Sequence, residues 1–124
     1  MQLQLPIRSL VLVATATISS AWTFTGYEHV NYGGQSFILT GLPLPIPDCQ
    51  NVPDNFKGLL SAFKWENVMA GNENWKCQLT LFTGSECSGD SVYTSSSDKV
   101  DKPYVGDQYN DKTTSVEVGC FVVQ

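Results

Sequence analysis

The sequence predicts an all-β domain, and three observations carry that expectation. Helix signals are almost absent. Short apolar runs containing Val, Tyr, Phe and Thr alternate with turn residues such as Gly, Asn and Asp. A hairpin-like stretch and an alternating strand also recur in the second half of the chain at nearly the same offset.

Residues 1–21 are set apart from that pattern and read as a secretory signal peptide. Arg8 is their only charge, an apolar run follows from Leu10 to Ile18, and Ser19, Ser20 and Ala21 supply small residues for cleavage. The run is shorter than the roughly 20 residues a membrane span needs, and Thr15 and Thr17 interrupt it. A mature chain starting near Trp22 is therefore expected to be extracellular, with no membrane span. Its 103 residues (124 minus 21) are enough for one domain.

The strands follow in order. Trp22-Thr23-Phe24 opens the first and Ser36 to Thr40 forms the second. Leu60 to Trp65 alternates, with Phe63 and Trp65 on one face. Gln78 to Phe82, Ser91 to Thr94 and Thr114 to Val118 form a similar set, and Val116 and Val118 share a face in the last. Tyr27, Tyr32, Gly34 and Ser36 fall over Phe82, Cys87, Gly89 and Ser91 at an offset of 55. Ser61 to Trp65 falls over Thr114 to Val118 at an offset of 53. In such a unit the glycine can take positive φ where the hairpin folds back. The residue five positions after the first aromatic then packs near that ring. In the second unit this residue is Cys87, so a disulfide can stand where the first unit has an aromatic pair.

Charge and cysteines narrow the function classes. Past residue 21 there are six lysines, no arginine and twelve acids, a net charge near −6. Nucleic acid is excluded as a partner on this balance, since phosphate needs clustered cations. Cys49, Cys77, Cys87 and Cys120 form an even set in a small secreted domain and predict two disulfides, with three connectivities open. A zinc site is disfavoured because there is no CxxC pair and His29 lies far from any cysteine. No Asn-x-Ser/Thr sequon occurs, so N-linked glycans are not expected. Catalysis has little basis, because His29 has no evident nucleophile partner and the acids are scattered.

The repeated motifs resemble the βγ-crystallin family in its microbial, single-domain form. That family carries (Tyr/Phe/Trp)-x4-(Phe/Tyr)-x-Gly in each of two Greek-key motifs, and (Asn/Asp)-(Asn/Asp)-x-x-(Ser/Thr)-Ser before each last strand. Tyr27, Tyr32 and Gly34 match the first element. Phe82 and Gly89 match it again, with Cys87 the departure, and Asn110 to Ser115 matches the loop at every specified position. The resemblance implies a double Greek-key sandwich of two four-stranded antiparallel sheets over residues 22–124. Motif one would cover about 22–70 and motif two about 75–124, the third strand of each crossing to the other sheet. It also implies the pairings Cys77–Cys120 and Cys49–Cys87.

The resemblance further implies a composite calcium site. Its donors would be the carbonyls of Glu28 and Leu59, the hydroxyl of Ser61, and Asp111 or Asn110. A second site would use the carbonyls of Lys112 and of Thr83 or Gly84, with the hydroxyl of Thr114. It lacks its acid, because Lys57-Gly58 stands where two Asn/Asp residues are expected. With one carboxylate in the surviving site, modest affinity is expected, since calcium takes about six to eight oxygens, some anionic. The alternative for Asn110-Asp111 is a loop that caps its own backbone through Asx-turns.

The function implied is a non-enzymatic, secreted, monomeric βγ-crystallin-like protein whose partner is calcium or an extracellular protein. Two further classes use this fold, a killer-toxin-like toxin or effector and a proteinase inhibitor. For the inhibitor the candidate loop is Gly41 to Asp48, whose alternating prolines would hold an extended backbone. A stiff crossover to the third strand is the plainer reading of that loop.

Overall fold

The computed structural model describes residues 22–42, 47–67 and 75–122. Residues 1–21, assigned above to a signal peptide, and the centre of the proline-rich loop, 43–46, lie outside the described residues.

The first long strand forms where aromatic residues alternate with threonines. β1 (Trp22–His29) buries Trp22 and Phe24 and leaves Thr23 and Thr25 half exposed. It turns into β2 (Gly33–Gly41), its antiparallel partner. On its other edge β1 pairs with β4 (Ala62–Asn67), which buries Phe63 and Trp65 and exposes Lys64 and Glu66. β7 (Lys99–Lys102) from the second half closes this sheet in the order β2-β1-β4-β7.

The second sheet mirrors the first. β5 (Trp75–Phe82), β6 (Ser91–Ser95) and β8 (Ser115–Val122) come from the second half, and β3 (Asp48–Asn51) crosses over from the first. The order is β3-β8-β5-β6, and every pairing in both sheets is antiparallel. The sequence showed neither β3 nor β7. Each is four residues long and lies at a sheet edge with one neighbour, where polar side chains are tolerated and apolar alternation is not required. The other strands run beyond the ends read from the sequence, except that β4 begins at Ala62 and β8 at Ser115, a residue or two later.

The inner faces meet in one core. Trp22, Phe24, Phe63, Trp65, Leu79, Leu81, Val116 and Val118 are all buried, which places the four residues picked out by alternation against the opposite sheet. Phe24 stacks on Phe63 with ring centroids 5.2 Å apart, and Trp22 lies 5.7 Å from Trp65. Each such ring contributes about 1.5–3 kcal/mol through burial, with a smaller increment from the ring contacts. Gly26 sits mid-strand for a packing reason, since a Cβ there would overlap the Phe37 ring.

Two disulfides fasten this core, Cys49 to Cys87 and Cys77 to Cys120. These are the pairs that the resemblance implied. Cys77 and Cys120 are register partners across β5 and β8 and are fully buried, whereas Cys49–Cys87 lies at the surface and joins β3 to the second hairpin.

Candidate metal site between the two halves

The two hairpins are built alike. Asn31 and Tyr32 have positive φ, as do Glu86 and Cys87 at an offset of 55, and Gly34 and Gly89 follow at φ +75° and +83°. A Cβ on Gly34 would collide with the side chains of His29 and Glu28, so glycine is required there for space as well as conformation. The Gln35 N–H donates to Glu28 Oε1 at 3.4 Å, and the Asp90 N–H donates to Thr83 Oγ1 at 2.9 Å, one bond repeated in both halves.

Each loop before a last strand is held across the molecule by matched bonds. The Ser61 N–H donates to the Tyr27 carbonyl at 3.0 Å, which sets Ser61 beside Glu28 in the first hairpin. Thr114 N–H to Phe82 carbonyl, at 2.9 Å, is its counterpart. The Val105 N–H reaches the Ser61 carbonyl at 3.0 Å, and the Val52 N–H reaches the Thr114 carbonyl at 2.8 Å. Each half therefore fixes the loop of the other.

The second loop delivers its acid to the first. The Asp111 N–H donates to the Leu60 carbonyl at 3.0 Å, and Asp111 sits at φ +61°, a region that Asp occupies more readily than most residues. Its carboxylate then accepts the Ser61 hydroxyl at 3.3 Å across a separation of 50 residues. Asn110 Nδ2 donates to the other carboxylate oxygen at 3.4 Å, while Asn110 Oδ1 is enclosed without a hydrogen-bond partner among the described residues. Leu59 is adjacent and partly exposed. The geometry thus gathers Leu59, Ser61, Asn110 and Asp111, with Glu28 one residue beyond the carbonyl that Ser61 binds.

Two residues of the second loop, Tyr104 and Asp107, gave no sequence signal. The Tyr104 hydroxyl donates to Asp107 at 2.5 Å. That hydrogen bond raises the phenol above its usual range, with burial, the Asp107 charge and the Asp111 charge adding.

The corresponding corner of the other half is poorer. Gly58, at φ +75°, occupies the place of Asp111 and brings no side chain, and Lys57 turns toward Asp54 at 3.4 Å. The Gly84 carbonyl already accepts the Ser115 hydroxyl at 2.5 Å. Among the described residues no cluster of three or more His, Cys, Asp or Glu side chains occurs.

No family model and no curated protein matches the sequence. Solved structures do. A single mutant of a βγ-crystallin domain from Clostridium beijerinckii is 27% identical, covering 77% of this chain and 98% of that one, with a TM-score of 0.52. A double mutant of a βγ-crystallin domain from the same organism is 25% identical over 78% of this chain and 96% of its own, with a TM-score of 0.53. These agree with the sheet orders and the matched hairpins above. The chain has the fold of the microbial βγ-crystallin-type domains. A βγ-crystallin domain from Flavobacterium johnsoniae, 21% identical over 77% of this chain and 91% of its own, shares the fold with a TM-score of 0.50. Within this βγ-crystallin-type domain the four-residue strands β3 and β7 are the exchanged third strands of the two Greek keys.

Proposed function

We propose that the chain is a secreted, disulfide-stabilised, non-enzymatic βγ-crystallin-type protein that binds one calcium ion weakly, between the first hairpin and the second loop. The contact between Ser61 and Asp111 carries this reading. A loop that served only to cap itself would turn its carboxylate onto its own backbone. Among the described residues both hydrogen-bond partners of the Asp111 carboxylate oxygens are instead side chains, and one comes from the opposite half.

The donor set fits a hard cation. Ser61 supplies a hydroxyl, Asp111 an anionic carboxylate, Asn110 an amide oxygen without a partner, and Glu28 and Leu59 main-chain carbonyls. The Glu28 carboxylate is engaged by the Gln35 N–H, so its carbonyl is the group assigned to the ion. Calcium would supply cross-linking charge at this junction and tie the two halves further. With one firm carboxylate, binding is expected to be weak, and the site that would need an acid at Gly58 is expected to be silent.

Secretion is supported by the character of residues 1–21 and by two disulfides, which persist in oxidising compartments. Among the described residues no helix is long and apolar enough to cross a membrane. Calorimetry on the metal-stripped mature chain tests the proposal. One weak calcium site, abolished by Asp111→Ala, is expected; heats equal to buffer dilution throughout the titration would refute it.

A further inference from the structure

The two disulfides differ in more than position. Cys77 and Cys120 are 0% and 1% exposed, in the core between the two sheets, whereas Cys49 is exposed and Cys87 half buried. We propose that Cys49–Cys87 is a site of thiol–disulfide exchange with external thiols, selective for neutral or cationic ones, while Cys77–Cys120 stays closed in the native protein.

Exchange needs a thiolate to approach one sulfur in line with the bond. Cys49 lies on the outer face of the second sheet, in register with Glu117, in the edge strand β3. Nothing in that sheet covers it from the edge side. Attack on Cys49 Sγ forms a mixed disulfide there, breaks the bond to Cys87, and releases Cys87 as thiolate, which takes a proton from water. The Cys87 sulfur lies 3.6 Å from the Val116 carbonyl, which accepts the S–H once formed. With a dithiol, its second thiolate attacks its own sulfur in the mixed disulfide. Cys49 leaves, and two electrons have passed from the dithiol to the protein.

The released hairpin stays in place. The Cys87 N–H donates to Ser115 Oγ at 2.9 Å, and Asn51 holds Glu86 through its backbone N–H at 2.8 Å and its carboxylate. The native fold therefore persists with the surface bond open, which allows a reversible reaction.

Charge sets the selectivity. Two acids stand beside this bond, Glu117 opposite Cys49 in register and Glu86 held by Asn51, while Thr80 and Thr94 continue the row across the sheet. An approaching anionic thiol meets two like charges, and a cationic one is attracted.

The test incubates the native, fully oxidised protein with cysteamine, 2-mercaptoethanol or 2-mercaptoethanesulfonate at equal thiolate concentration. The reaction is quenched with iodoacetamide and mapped by peptide mass. Modification at Cys49 and Cys87 should outpace that at Cys77 and Cys120 on the order of a hundredfold or more, because the buried pair requires an opening of the core. The cationic thiol should be fastest and the sulfonate slowest, with the spread narrowing at high salt. All four cysteines reacting together, the buried pair reacting first, or rates indifferent to thiol charge would overturn the proposal.

Discussion

The two halves of this domain close the same hairpin by different chemistry. In the first half, Tyr32 meets Tyr27 edge to face with centroids 5.4 Å apart, and the Lys64 ammonium sits 4.5 Å above the Tyr32 ring. In the second half, Cys87 takes the place of Tyr32. A disulfide to Cys49 anchors it, and the buried Ser115 hydroxyl accepts the Cys87 N–H while donating to the Gly84 carbonyl. The residue matching Ser115 in the first half is Ala62, also buried. One half thus relies on ring packing at its surface, the other on a covalent bond and a satisfied polar group. The difference shows that the repeat preserves backbone geometry, including the residues at positive φ, and leaves open which side chains hold it.

That contrast can be broken one interaction at a time. Replacing both Cys49 and Cys87 by serine should cost the most, about 3–4 kcal/mol for a link separating residues 38 apart, read as a fall in the denaturant midpoint. A loss no larger than that of a surface substitution would mean that the link contributes little by restricting the unfolded chain. Ser115→Ala should come next. It strands the Cys87 N–H and one bond to the Gly84 carbonyl in a buried site, at about 1–3 kcal/mol.

In the first half, Tyr32→Ala removes an edge-to-face pair and a cation–π contact at a partly exposed site. About 1–2 kcal/mol is expected, and Tyr32→Phe should recover most of it. Equal losses from both of these tyrosine variants would shift the credit from the ring to its hydroxyl.

The smallest effect has the opposite sign. Thr113 is fully buried with its hydroxyl unpartnered among the described residues, where the first half has the equally buried Leu60. Thr113→Val should leave stability unchanged or raise it by up to about 1 kcal/mol, since it removes a polar group without a hydrogen bond. A clear drop in thermal midpoint would show that the hydroxyl has a partner after all.

The architecture was legible wherever burial imposes alternation. Phe63 and Trp65, like Val116 and Val118, announce their strands because one face of each must be apolar. β3 and β7 were not, because an edge strand of four residues is fixed by main-chain pairing to a neighbour rather than by its own side chains. The candidate site was partly legible. Asn110, Asp111 and Ser61 sit in a loop pattern that a sequence can display. The contributions of Tyr104 and Asp107 depend on how the second loop folds back on itself, and no local pattern encodes that. Ser115 stood in the loop motif as its last residue, yet its work on the Cys87 N–H appears only once the hairpin lies beside it.

The central claim is that the halves are unequal at their junction, with one corner able to hold calcium and the other not. Amide nuclear magnetic resonance during a calcium titration of the metal-stripped protein tests it directly. The resonances of Glu28, Leu59, Ser61 and Asp111 should move together and saturate, while Gly84, Ser85 and Ser88 in the second hairpin stay still. Equal movement in both hairpins, or none in either, would contradict the account.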